Sequence, residues 1–366
     1  MSWRGLCKKL HLWLGLTVGT ALLVLGLSGA ALVYYVPLDR WLHPAIDTQH
    51  AQPPNWDRAL ATLRARFPDK TGPWRLEATG DGGAIPARYY HPPETTGQGF
   101  APMMVWLSPD GSQLLRRDYW GDYLVTWLYN LHYQLLLGAT GSWVVGWLGL
   151  ASALLLFSGL YSWWPKVGRW RRQFQVSAGA PALRALLEWH RLIGVLSALP
   201  LLLLCLTGAA LALPGPTATL LGWTLGTPAA APVLASQSGP PVLPSTALAA
   251  ARQALPGARL AWIETPPLSG GNYRFRLQLP GDPSMRFPHS YVTVQGQSAK
   301  VLAIFDARAQ GPATTFNNWL HPLHDGSAGG FWLRSLWLLA GAAPLMLFTL
   351  GIRRWRLRRR RYGEAV

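Results

Sequence analysis

The sequence predicts a mainly α membrane protein: a four-helix transmembrane bundle made by internal duplication, with two small α+β domains outside the membrane. Three observations predict it. Apolar stretches beginning near residues 10, 142, 189 and 331 each have the roughly 20 residues needed to cross a hydrocarbon core at about 1.5 Å per residue. The first stretch returns as the third: HLWLGLTVGTALLVLGLSGAALVYY from His11 aligns without a gap with HRLIGVLSALPLLLLCLTGAALAL from His190. The chain is 50% hydrophobic and only 13% charged, with 20 tryptophans, a membrane composition.

The net charge of +17 raises nucleic acid as a partner, and its distribution argues against one. The excess Lys and Arg lie in three short segments, 1–10, 165–191 and 352–366, whose only acids are Glu188 and Glu364. The long polar loops between are nearly neutral. Basic residues flanking apolar spans follow the positive-inside pattern, so these segments and both termini are expected in the cytoplasm of a bacterium. The loops then fall in the periplasm, or on an equivalent outer face. Cys7 and Cys205 sit at different depths and make no disulfide framework.

Residues 1–36 form the first span. The start, basic and then apolar, has the look of a signal peptide, but its apolar part exceeds the usual 7–15 residues and belongs to a repeat, so it reads as a retained anchor. Residues 37–123 read as a small outside domain. NWDRALATLRARF (55–67) has helical spacing, and WRLEAT, ARYYH and APMMVWL read as strands, with SPDGS turning into QLLRRDYW. Residues 124–164 would extend about 60 Å as one helix, too long for one span. GATG (138–141) offers the break, leaving an interfacial helix with His132 and a second span from 142 to 164.

A basic cytoplasmic loop (165–188) leads to the third span (189–213), with Pro200 as an expected kink. Residues 214–320 read as a Pro/Ala/Ser-rich stretch followed by a second helix-plus-strands domain. Its helix is STALAAARQAL (245–255), and RLAWIE, YRFRLQL, SYVTVQ and AKVLAIF are its strands. The outer segment with His321 and His324 and the fourth span follow (321–352), then a basic tail (353–366). Setting His132 on His324 also aligns Gly138 with Gly330, Gly159 with Gly351 and Trp163 with Trp355. Both halves therefore run span, outside domain, histidine, span.

Four histidines fall into two repeat-related pairs. His11 and His190 stand at the inner mouths of spans one and three, His132 and His324 at the outer mouths of spans two and four. About a pseudo-two-fold axis each pair would meet, and two neutral imidazoles are what a low-spin haem iron takes as axial ligands. Gly15 and Gly194, one turn away, would leave room for a flat macrocycle. Lys8, Lys9, Arg184 and Arg191 could then pair with its propionates. Against this stands the ordinary reading of a span-end histidine, a solvated interfacial residue. Zinc is a poor fit for two histidines lacking Cys or carboxylate partners. His321, one turn from His324, is second choice as outer ligand or a residue at the haem edge. His43, His50, His91 and His289 lack repeat counterparts and read as loop surface.

The run H-x-x-x-G…[ST]-G at His11 and His190, LH-x-x-L-L-x-G at 131–138, SGLYSWWP at 158–165 and PLHDG at 322–326 resemble the PepSY-associated transmembrane helix family. The resemblance covers essentially the whole chain. It implies PepSY-like periplasmic domains, and some members resemble bacterial inner-membrane ferric-siderophore reductases with two b-type haems. By motif, it implies His11 and His190 as inner ligands and His132 and His324 as outer ones.

The function these readings favour is an inner-membrane di-haem protein that reduces ferric iron, held by a siderophore or other ferric chelate, at the periplasmic face. No GxGxxG follows a strand, so electrons are expected from quinol or a separate cytoplasmic reductase. Arg116, Arg117 and Trp120 could meet an anionic chelate or form a solvated strand edge. Two alternatives stand: a non-enzymatic PepSY protein that binds peptides or regulates a protease, and a b-type haem conduit to another periplasmic acceptor.

Overall fold

A computed structural model describes residues 2–47, 52–165 and 167–363; His50, Lys166 and Glu364 lie outside the described residues. The chain opens with α1 (Trp3–Leu32), α2 (Tyr35–Leu42) and α3 (Trp56–Arg66). Strands β1 (Trp74–Glu77), β2 (Ile85–Tyr89), β3 (Met103–Leu107) and β4 (Leu114–Tyr119) follow. Helices α4 (Leu124–Gln134), α5 (Gly138–Trp163), α6 (Trp170–Gln173), α7 (Ala182–Ala212), α8 (Pro214–Thr224) and α9 (Pro244–Ala254) come next. The last elements are β5 (Arg259–Glu264), β6 (Asn272–Gln278), β7 (Ser290–Gln295), β8 (Val301–Phe305), α10 (Pro312–His324) and α11 (Gly330–Tyr362). Two compact units result.

The first unit comprises Met1–Tyr34, Leu128–Pro216 and Leu323–Val366. Its four long helices, α1, α5, α7 and α11, are each long and apolar enough to cross a membrane. They pack as a ring: α1 and α7 each lie against both α5 and α11, so α1 and α7 face each other across the middle. Small residues allow the close approach that membrane helices use in place of a hydrophobic driving force. A Cβ at Gly26 would lie 2.7 Å from the Gly341 carbonyl oxygen on α11. The repeat-equivalent contact is Gly149 of α5, whose Cβ would lie 2.9 Å from the Cys205 carbonyl oxygen on α7. Pro200 lies inside α7, which continues past it.

The break expected at 138–141 falls at 135–137. Leu135 and Leu136 take positive φ (49° and 59°), and Gly138 follows at 60°. A Cβ at Gly141 would fall 1.7 Å from the Gln134 carbonyl oxygen, so this corner tolerates no side chain there. Gly330, aligned with Gly138, opens α11 with φ of 57°.

The second unit comprises Tyr35–Trp127 and Thr217–Pro322. All eight strands expected from the sequence form, but the two loops read as separate domains (37–123 and 214–320) are halves of one antiparallel sheet. Its order is β4-β3-β2-β1-β5-β6-β7-β8. The seam is β1 on β5, pairing Arg75 with Glu264, Leu76 with Ile263 and Glu77 with Trp262. The physical reason is that a free four-stranded meander would leave β1 or β5 as an open edge, and each edge satisfies the other. Helices α3 and α9 bury Leu60, Leu63, Leu248 and Ala251 against Trp74, Leu76, Ile263 and Phe275 on one face. The Pro/Ala/Ser-rich stretch after the third span starts with a helix, α8, as α2 follows the first.

Candidate functional site

The helical unit brings the four histidines together as the repeat requires. The rings of His11 on α1 and His190 on α7 lie 6.2 Å apart, centroid to centroid, with planes at 81°. Those of His132, near the end of α4, and His324, ending α10, lie 6.1 Å apart with planes at 38°. His321, one turn earlier, packs edge-on against Phe287 at 4.5 Å in the sheet unit. The structure thus sets His324, and not His321, opposite His132.

Each imidazole is oriented by the neighbouring helix through Nδ1. His11 Nδ1 lies 3.1 Å from the Leu155 carbonyl oxygen, and His190 Nδ1 lies 3.0 Å from that of Leu347, its repeat equivalent. His132 Nδ1 lies 3.0 Å from the Leu25 carbonyl oxygen. A carbonyl only accepts, so Nδ1–H donates in each case and the lone pair is left on Nε2. Hydroxyls add a second acceptor. Ser158 Oγ lies 3.1 Å from His11 Nδ1, Ser28 Oγ 3.2 Å from His132 Nδ1 and Thr207 Oγ1 3.0 Å from His324 Nδ1. Each hydroxyl donates its own hydrogen at 2.7 Å to a carbonyl one turn back (Leu155, Val24 and Leu203), which leaves its oxygen free to accept from the ring.

Glycines seat the rings. A Cβ at Gly29 would lie 2.7 Å from His132 Cε1, one at Gly208 2.8 Å from His324 Cε1, and one at Gly159 2.8 Å from His11 Cε1. At Gly351 the distance to His190 Cε1 is 3.7 Å. The hydroxyl–glycine pairs of the repeat are therefore the cradle of the outer histidines. The repeat alone aligns these pairs, and Gly159 with Gly351, but their role as seats is visible only in the packing.

These residues fit a haem iron at both levels. Two metal–imidazole bonds of about 2 Å, plus about 1.1 Å from each nitrogen to its ring centre, put the centroids about 6.2 Å apart. The Nδ1 hydrogen bonds leave the Nε2 lone pairs available; a Cβ at Gly15 would meet nothing within 4 Å, and one at Gly194 would meet Leu347 Cδ2 at 3.7 Å, an ordinary contact. Among the described residues no group of three or more His, Cys, Asp or Glu converges, so each pair offers two protein ligands and not the four of a closed zinc site.

Arg184, proposed for a propionate, binds Glu188 at 2.8 Å, and Arg191 donates to Gln173 Oε1 at 2.9 Å; Lys8 and Lys9 are exposed. Arg116 is partly buried, 3.3 Å from Asp39 and over the Trp106 ring, so it is no solvated strand edge; Arg117 is exposed and Trp120 buried. Two histidines read as surface are partly buried. His43 Nδ1 lies 3.0 Å from Asp39 Oδ1. Burial, with Arg276 and His321 nearby, pushes the His289 imidazole down to about 4. His91 is exposed as expected.

A family model of the PepSY-associated TM region matches residues 8–358, taking in all four span helices and the sheet between them. The chain belongs to the PepSY-associated TM family. No curated protein matches it. As a member of that family with four span-length apolar helices, it is a membrane protein. All four paired histidines, with the glycines that seat them, fall inside the family match.

Proposed function

We propose that the protein is a bacterial inner-membrane electron carrier that holds two b-type haems and reduces ferric iron at its periplasmic face. The observation that carries this reading is the pair of facing imidazoles at each level, each tied through Nδ1 to the next helix. His11 with His190 would hold the inner haem, and His132 with His324 the outer one. Bound haem would supply one-electron chemistry, at a potential tuned by the histidines that hold it and by the hydrogen bonds at their Nδ1 atoms.

The chain's own residues do the rest. Leu155, Leu347 and Leu25 keep the proton on Nδ1, which leaves the lone pair on Nε2 and fixes how each ring is turned. Along α1, the spacing of His11 from Gly29, the seat of His132, separates the two levels by about 27 Å, most of a bilayer core. Both levels on one ring of helices suit transfer across the membrane, from quinol or a cytoplasmic reductase on the arginine-rich side. The acceptor is a ferric siderophore or other ferric chelate. Reduction lowers the charge and hardness of the metal and so loosens its oxygen ligands.

The test is the visible spectrum of the purified protein. Dithionite reduction should give the sharp α band of bis-histidine haem b, with His11→Ala and His324→Ala each removing about half of it. Haem-replete expression without that band would leave a PepSY-family membrane protein with no electron-carrying role. Ferrozine capture of ferrous iron from a ferric chelate, driven by the reduced protein, then separates ferric reduction from delivery to another acceptor.

A further inference from the structure

The bundle has a feature that electron transfer does not use. At the end where α1 begins and α11 finishes, a cleft of about 320 Å3 lies between the first turn of α7 and the tail of α11. Ala182 and Leu183 form one wall, and Leu357, Arg360 and Arg361 the other. Two guanidinium groups and three aliphatic side chains thus share one opening, a lining suited to a ligand with an anionic and an apolar part.

The surroundings are cationic and uncompensated. Arg184 and Ser177 occupy Glu188, and among the described residues none of Arg353, Arg354, Arg356, Arg359, Arg360 or Arg361 is ion-paired. The depth is that of a membrane interface. Trp163, Trp164 and Trp170 pack edge-to-face at 5.3–6.3 Å, and Arg4 at the start of α1 donates to the Trp164 carbonyl oxygen at 2.7 Å. Trp189, beside His190, is 47% exposed. Tryptophans of this kind sit at headgroup level, where basic clefts between helices bind acidic lipid headgroups.

We propose that this cleft is a binding site for an anionic phospholipid, with the phosphate on Arg360 and Arg361 and the first acyl methylenes over Leu183 and Leu357. A free anion would need no aliphatic wall, and a zwitterionic lipid would gain little from the unpaired arginines. The site is independent of the haem reading, because none of its residues touches a histidine pair.

The test uses the full-length protein in detergent micelles with spin-labelled phosphatidylglycerol and phosphatidylcholine, comparing relative association constants. The wild type should prefer phosphatidylglycerol. Arg360→Gln with Arg361→Gln should lower that preference about fivefold per arginine. Arg353→Gln with Arg356→Gln removes the same charge outside the cleft and should change it little. Leu183→Trp, which fills the cleft and keeps every arginine, should lower the preference as the Arg360/Arg361 pair does. Equal loss in both arginine pairs, no preference in the wild type, or displacement of the lipid by millimolar inorganic phosphate would each overturn the site.

Discussion

A glycine opposite an imidazole decides how closely that ring can approach the next helix, and the four seats are unequal. Gly29→Ala places a methyl group 2.7 Å from His132 Cε1, on a ring that is also held by Leu25 and Ser28. Overpacking of this kind costs about 1–3 kcal/mol. The expected outcome is loss of the outer half of the reduced α band with the inner half kept, and Gly159→Ala should do the converse. Gly351→Ala, with 3.7 Å of clearance, should keep both. The ring planes differ as well, near perpendicular inside and 38° outside. Oxidised protein should therefore show two distinguishable low-spin ferric signals by electron paramagnetic resonance, and His324→Ala should erase one of them. In the sheet unit, His289 is held neutral because its pKa falls below that of an unfolded histidine. Its contribution is complete above about pH 6.5 and is lost as pH falls toward about 4. The melting temperature should drop across that window, and less so in His289→Gln.

Among the elements, the β1–β5 seam has the widest effect. Leu76 and Ile263 face each other across it, both fully buried. With one sheet and one core, the unit should melt in a single transition; two resolved transitions would mean that the halves fold separately. Leu63→Ala, on a side chain with no exposure, should destabilise that unit by about 2–5 kcal/mol, read as a lower midpoint in a thermal scan. The strands themselves were legible because alternation and turn residues are local signals. The seam was not, since pairing between strands so far apart in sequence leaves no mark on either one. Helix α8 was hidden by its prolines, although Pro214 stands at its first position, where a missing N–H does no harm. At the site, the histidine pairing could be read from the repeat. The repeat also ranks His324 above His321, although both lie on one helical face, and the packing agrees by setting His324 beside His132 and His321 against Phe287.

On the scale of the whole chain, the repeat divides both units down the middle. Each half supplies two helices of the ring and four consecutive strands of the sheet. Each also supplies one histidine of each pair, seated by the half's own helices: His11 rests on Gly159 and His132 on Gly29, as His190 does on Gly351 and His324 on Gly208. What neither half owns is a partner ring. A single half thus carries two unpartnered imidazoles, and each gains its partner ring only when a second half closes on it. Two identical halves meeting as a symmetric dimer would present the same two ring pairs. Fusion into one polypeptide then frees the copies to diverge, as Ser28 and Thr207, or Gly26 and Cys205, already have.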